Sequence, residues 1–307
     1  MWLILSFYHF VPSLCFVVWT AASRDGRYLR FGVREFGMFA IGNGISAYGV
    51  NLVPFTATFL TFLTYGYGAV RVGALSHLRH IYVMTHDSVL LGEDGPTHQP
   101  VEVLACSRSL PNLFTFRPCD GNEIAETWKL MLGRDGPSVI ALSRQTINTK
   151  LVSKYTKSTA GKGVQNGAYI LNEGDEEKAT SPDVVVISSG SEVELALEAA
   201  ETLAPDLAVR VVSAPCLELF DAQNVKYRES VLPPGTLVIS LEASSPYGWS
   251  KYAHKNVGVP AWGKSAPLKA IREDYGFTAK QFTQTVQDAA AQCKGKEMPL
   301  LPTLWPY

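Results

Sequence analysis

The chain has 307 residues, 47% apolar and 18% charged, a balance that supports well-buried cores and about two domains and excludes an intrinsically disordered chain. With 27 basic and 28 acidic residues the formal charge is −1, which leaves no broad electrostatic footprint for a nucleic acid or an anionic membrane, so any phosphate must be held by a few placed residues. Cys15, Cys106, Cys119, Cys216 and Cys293 are odd in number and lack CxxC spacing, which argues against a disulfide framework and a zinc site and predicts a reducing, cytoplasmic compartment.

Residues 1–22 carry no charge and are rich in Trp, Phe, Leu and Val, long enough to consider a signal peptide or membrane anchor. The segment lacks a basic start and holds His9 and Pro12 in its middle, and the composition breaks at residues 23–26. The expectation is that residues 1–22 stand outside the fold that follows. Next, a short strand turns into a helix over 35–48 with Glu35 at its start. An acid at a positive helix end in apolar surroundings is either an ordinary helix-end charge or a functional proton donor. A strand over 51–56 leads into a predicted helix over 59–76, on which Phe59, Phe62 and Tyr65 fall on one side. Such a stripe is a core face or the wall of a bound ring.

The strand over 81–84 runs into a loop with His86, Asp94 and His98. Two histidines and an acid after a strand could bind a metal, transfer protons or hold a polyhydroxylated substrate. Their irregular spacing does not match a zinc pattern, and a polar pocket for a sugar is the preferred reading beside that of a solvated loop. Helices over 100–109 and 121–132 and strands over 113–116 and 138–142 follow, with Asp120 and Glu123 forming a capping box. Arg144, just past the last of these strands, would reach the same sheet edge and could pair with a phosphate, or serve as a salt-bridge partner.

A polar stretch over 146–182 separates a second unit, in which strands begin at 183, 208 and 236. Its turn Ser188-Ser189-Gly190-Ser191 could cradle a phosphate, or could be a βα turn that needs glycine. The domain expectation is therefore 23–150, a linker over 151–182, and 183–307. Regular βα alternation predicts an α/β protein with mostly parallel sheets covered by helices.

These pieces occur together in one known pattern. Arg-x-Gly-Val-Arg-Glu over 30–35, the aromatic stretch, Thr-His-Asp-Ser over 85–88, Gly-Glu-Asp-Gly-Pro-Thr-His-Gln-Pro over 92–100, Phe-Arg-Pro-x-Asp over 116–120, Leu-Ser-Arg-Gln over 142–145 and the segment 249–254 resemble the transketolase family. The resemblance covers about residues 24–285, the family's pyrimidine-binding and carboxy-terminal domains. It implies transfer of a two-carbon ketol unit between sugar phosphates with thiamine diphosphate and Mg2+. Glu35 matches the glutamate that hydrogen-bonds the aminopyrimidine, and Phe59, Phe62 and Tyr65 match the hydrophobic wall around that ring. His98 would contact the donor sugar, Asp94 the acceptor hydroxyl, and His86 with Arg144 the sugar phosphate.

Three departures qualify the resemblance, the first being that residues 1–22 stand in place of the family's opening strand and helix, so that the pyrimidine-binding domain over 23–150 is expected to be incomplete at its start. Phe36 stands where the family commonly has a histidine, and no Gly-Asp-Gly segment, which in the family's pyrophosphate domain binds Mg2+ and the diphosphate, occurs in the sequence. The expectation is a chain that does not bind the cofactor tightly alone and works as a homodimer or a heteromer with a chain carrying that domain. A catalytically inactive truncated relative and a dihydroxyacetone synthase-like enzyme are the alternatives.

Overall fold

The structure, a computed structural model, describes residues 2–6, 18–174 and 181–305. Residues 7–17, with His9, Pro12 and Cys15, and residues 175–180 of the polar stretch lie outside the described residues. The first sheet comprises β1 (Trp2–Ser6), β2 (Tyr28–Arg30), β3 (Val53–Phe59), β4 (Ile81–Thr85), β5 (Phe114–Phe116) and β6 (Ser138–Leu142), all parallel in the order β2-β1-β3-β4-β6-β5. Its helices are α1 (Glu35–Tyr48), α2 (Tyr67–Leu75), α3 (Val103–Arg108) and α4 (Gly121–Gly133).

Part of the apolar segment expected outside the fold is thus a strand within it. β1 pairs on one side with β2 and on the other with β3, where Ser6 faces Ala57. Interior strands of parallel sheets read as uninterrupted apolar runs, so composition alone does not separate such a strand from the apolar stretch of a signal peptide.

The stretch expected as linker also folds. It holds α5 (Thr149–Gly163), which packs on α4, and β7 (Tyr169–Asn172), which joins the second sheet antiparallel to a neighbour. α5 buries Val152, Thr156, Ala160 and Gly163, one narrow stripe on an otherwise polar helix, and the Asn148 side chain caps it by accepting from Leu151 N. A helix this polar reads as a connector when its stripe contains threonine and glycine rather than leucine.

The second domain contains β8 (Val184–Ser188), α6 (Glu192–Leu203), β9 (Val209–Ser213), α7 (Leu217–Asp221), α8 (Val225–Val231), β10 (Leu237–Leu241), β11 (Lys255–Val257), α9 (Leu268–Tyr275) and α10 (Ala279–Cys293). Its sheet order is β11-β10-β8-β9-β7, parallel except for β7. Every residue of β8, β9 and β10 is buried, as expected of strands covered on both faces. Each fully buried Val, Ile or Leu there contributes on the order of 1.5–3 kcal/mol. Among the described residues no helix is long and apolar enough to cross a membrane, and Cys106, Cys119, Cys216 and Cys293 are free.

The predicted helix over 59–76 is three pieces: β3 runs on to Phe59, a 3₁₀ helix spans Leu60–Gly66, and α2 begins at Tyr67. The 3₁₀ segment packs against the start of α1 so closely that a Cβ on Gly66 would fall 2.2 Å from the Phe39 ring and 3.3 Å from the Glu35 carbonyl oxygen. Beneath this contact His80 is fully buried: its Nδ1 lies 2.9 Å from Asn43 Oδ1 and its Nε2 3.0 Å from Thr56 Oγ1. Because Asn43 Nδ2 donates to Ala69 O, Asn43 Oδ1 is the acceptor, so His80 carries its proton on Nδ1 and accepts from Thr56. Burial lowers the His80 pKa to about 3 and keeps the ring neutral.

Candidate active site

In a parallel sheet the carboxyl ends of all strands open on one edge, and ligand-binding loops collect there. Register makes this concrete: Phe59 of β3 pairs with Thr85 of β4, and Thr85 pairs with Leu142 of β6. Phe59, His86 and Arg144, each at or just past its strand's end, therefore emerge along one row.

The aromatic stretch forms a continuous stack. Phe59 and Phe62 are nearly parallel with centroids 5.9 Å apart, and Phe62 and Tyr65 follow at 5.7 Å. A 3₁₀ helix has three residues per turn, so side chains three apart eclipse, which is why the rings at 62 and 65 align, and Phe59, the last residue of β3, continues the stack from just before the helix. The stack is not core: Phe59 and Phe62 are half-buried and Tyr65 is 69% exposed. Glu35, in the first turn of α1, is 6% exposed, and its backbone carbonyl packs against Gly66, the residue that follows the last ring of the stack.

His86 lies on the stack, its ring 3.5 Å from that of Phe59 and tilted by 18°. Its backbone is in the left-handed region at φ 57°, uncommon for a histidine and frequent where function fixes a side chain. Its Nδ1 lies 2.8 Å from Thr85 Oγ1. Burial lowers the His86 pKa, the positive charge of Arg144 adds to this, and Asp94 and Asp87 oppose it. His98 meets Phe59 and Phe62 edge-on at 6.2 and 5.3 Å, with Thr97 Oγ1 2.9 Å from its Nδ1. Asp94 and Arg144 are exposed at the rim. The structure thus gathers His86, Asp94, His98, Arg144, Phe59, Phe62 and Tyr65 on one edge, with the start of the Glu35 helix packed against Gly66 at the end of the aromatic segment.

Partly open ring faces and a buried carboxylate on the helix packed against the same segment are groups suited to a heteroaromatic ring with a nitrogen on its edge. Imidazole nitrogens, a carboxylate and a guanidinium beyond it suit a hydroxylated, anionic ligand. Among the described residues no cluster of three His, Cys, Asp or Glu side chains could hold a metal ion.

The sequence reading missed what holds the site loop from behind. Arg117 is fully buried; its Nε donates to Asp87 Oδ2 at 2.8 Å and its Nη1 to Ser189 O at 2.7 Å and Glu192 Oε2 at 2.5 Å. Arg108 grips Glu242 through two bonds of 2.8 Å, and Ser189 Oγ and Trp249 Nε1 also donate to Glu242. Burial alone would raise the Glu242 pKa, but Arg108 and Arg117 bring it down to about 2. Asp87 adjoins His86, so this network fixes the residue next to the left-handed histidine.

The network also decides the glycine turn before α6. Gly190 has φ +60°, and a Cβ there would fall 2.7 Å from the Arg117 guanidinium carbon. The Gly190 N–H donates to Arg117 O and the Glu192 carboxylate occupies the helix start, so the turn serves domain packing rather than a phosphate. Phe-Arg-Pro-x-Asp was the available signal, but its partners lie up to 125 residues away in sequence, beyond any local pattern.

Comparison with known proteins agrees with this geometry. Residues 12–150 match the transketolase pyrimidine-binding domain, and residues 167–278 match the transketolase-like C-terminal domain. A chloroplastic transketolase of Solanum tuberosum is 47% identical over 262 residues, covering 83% of this chain and 34% of that protein. The chain thus spans about a third of the length of that relative. Among solved structures, a Pichia stipitis transketolase in complex with sedoheptulose 7-phosphate superposes with a TM-score of 0.89 at 35% identity, covering 99% of this chain and 45% of that one. A split-gene transketolase described as an inactive beta4 tetramer shares the fold with a TM-score of 0.72 at 24% identity, covering 94% of this chain and 92% of that one.

Proposed function

This chain belongs to the transketolase family, and from that membership we propose that it supplies the pyrimidine-binding and sugar-binding half of a site that moves a two-carbon ketol unit from a ketose phosphate to an aldose phosphate. The observation that carries the reading is the aromatic stack of Phe59, Phe62 and Tyr65, partly open on the strand-end edge, with the imidazoles of His86 and His98 against its rings. The residues fit an aminopyrimidine: Phe59, Phe62 and Tyr65 would hold its faces, and Glu35 would hold a proton at its ring nitrogen. Thiamine diphosphate, when bound, supplies the electron sink that lets a carbon–carbon bond beside a carbonyl break and form.

The remaining roles are those the family resemblance implies, and the side chains are chemically suited to them. His86 is kept largely neutral by burial and by Arg144, so at neutral pH it donates one hydrogen bond and accepts another, as a sugar hydroxyl or phosphate oxygen requires. His98 would contact the donor sugar, Asp94 the acceptor hydroxyl beside its aldehyde, and Arg144 the phosphate through its planar fork. Such sugar phosphates place the reaction in the pentose phosphate pathway. The free cysteines support a reducing, cytoplasmic setting.

The diphosphate and Mg2+ ligands are expected from a pyrophosphate domain, for which this sequence contains no Gly-Asp-Gly segment. The surface beside the stack supports a partner: Val33, Phe36, Ile41, Tyr65 and Val72 are about half exposed or more around the start of α1 and along α2. We assign this face to a homodimer or a heteromer with a chain carrying that domain. The proposed domain division remains 23–150 and 183–307, with β1, α5 and β7 as the pieces that the structure adds.

Calorimetric titration tests the reading. The chain alone should show no micromolar binding of thiamine diphosphate with Mg2+, and adding a pyrophosphate-domain chain should create it. Micromolar binding by the chain alone, or none with the partner, would count against the proposal. Turnover with ribose 5-phosphate against formaldehyde then separates a transketolase from a dihydroxyacetone synthase-like enzyme.

A further inference from the structure

The loop that carries Asp94 and His98 is fastened by the second domain as well as by its own turns. Gln99 is buried, and its Nε2 donates to two carbonyl oxygens, Gly92 O at 2.8 Å and Lys264 O at 3.0 Å. Gly263 lies so close to this amide that a Cβ would fall 1.8 Å from Gln99 Oε1, so only glycine admits the contact. Two residues further, Ser265 Oγ donates to Glu93 O at 2.5 Å. Gly95, at φ +80°, turns its bare α-carbon toward Ser265, where a Cβ would come within 3.2 Å.

Residues 263–265 therefore touch the loop at 93, 95 and 99, on both sides of Asp94 and His98. The loop has few anchors of its own. Residues 93, 94, 96 and 97 are exposed, and its internal backbone bonds, Gly95 N to Gly92 O, His98 N to Gly95 O and Gln99 N to Gly95 O, shape turns without fixing where those turns stand. The aromatic stack that His98 must face belongs to the first domain.

We propose that residues 263–265 of the second domain are a strap that positions the sugar loop, with Gln99 and Ser265 as positioning residues that set Asp94 and His98 over the aromatic wall. This rests on the function proposed above, and it gives the second domain a part in sugar binding. Gln99 holds the loop's two ends together and to the strap. Ser265 holds the carbonyl immediately before Asp94. Neither touches the reacting carbons, so their loss acts on substrate affinity before it acts on turnover.

The test uses Ser265→Ala, a mild change at an exposed position, with Ser265→Thr as the conservative rescue and Gly263→Ala to push the Gln99 amide aside. Amide hydrogen exchange is measured on the chain, and steady-state kinetics with xylulose 5-phosphate and ribose 5-phosphate on the assembled enzyme. Ser265→Ala should speed exchange over residues 93–98 about tenfold and raise KM about fivefold with kcat within about twofold, and Ser265→Thr should restore both. Gly263→Ala should do the same more strongly. Unchanged exchange in both alanine variants overturns the strap, and faster exchange with KM unmoved overturns the positioning role. If the unaltered assembly turns over no sugar phosphate, the proposed function fails and the role in sugar binding with it, while the exchange measurement still decides whether the strap holds the loop.

Discussion

Glu35 carries the sharpest single-residue consequence. The residue is almost fully buried in the first turn of α1, whose backbone packs against Gly66 beside the aromatic segment. Glu35→Gln keeps the shape and removes the proton acceptor, so we expect transfer activity to fall by about 10²-fold or more, with the thermal midpoint nearly unchanged. His80 makes the opposite kind of prediction, on stability alone. A histidine whose folded pKa lies below its unfolded value binds a proton more readily when unfolded, so its contribution is full above the unfolded value and lost as pH falls toward about 3. Between pH 6.5 and pH 5, before most carboxylates titrate, urea denaturation should show a loss of roughly 1.5 kcal/mol from this group. His80→Gln should flatten that slope. Glu35 and the loop histidines were legible because each sits inside a local motif. The buried neutral state of His80 was not, since it depends on Asn43 and Thr56, 37 and 24 residues away.

Among the elements, the aromatic stretch shows where periodicity stops being informative. Rings at 59, 62 and 65 fit one face of an α-helix, yet the same spacing is the repeat of a 3₁₀ helix, which aligns Phe62 with Tyr65, while Phe59 joins the stack from the end of β3. The choice is made by Gly66, whose missing side chain lets the segment close on Phe39 at the start of α1. Gly66→Ala would drive a methyl into that ring, and overpacking of this kind costs about 1–3 kcal/mol, readable as a lowered urea midpoint. We also expect weaker cofactor binding by the assembled enzyme, because the stack and Glu35 are fixed by the same contact. β1 and α5 escaped the sequence reading for related reasons. An uncharged parallel strand has no alternation to betray it, and α5 marks its buried stripe with Thr156 and Gly163 instead of large apolar residues.

For the whole molecule, alternation of strands and helices was enough to predict two mostly parallel α/β layers, and the sheet orders agree with it. What alternation could not supply is how the two domains meet. Arg117 from the first domain binds Asp87 beside the site and Glu192 at the head of α6, while Gln99 and Ser265 join the sugar loop to the strap. Arg117→Leu would leave Asp87, Glu192 and Glu242 buried without their shared cation, and breaking such a pair on one side costs about 3–5 kcal/mol. Chemical denaturation should record that loss, and Arg117→Lys should recover only part of it because a lysine cannot reproduce the fork. The central claim is that this chain brings Glu35, the aromatic wall and the sugar loop to a site completed by a pyrophosphate domain. Its most direct test is transfer from xylulose 5-phosphate to ribose 5-phosphate, assayed with thiamine diphosphate and Mg2+ for the chain alone, for the chain with a polypeptide carrying that domain, and for the Glu35→Gln chain with the same polypeptide. We predict product only in the second mixture; equal activity in the first or third, or none in any, would contradict the account.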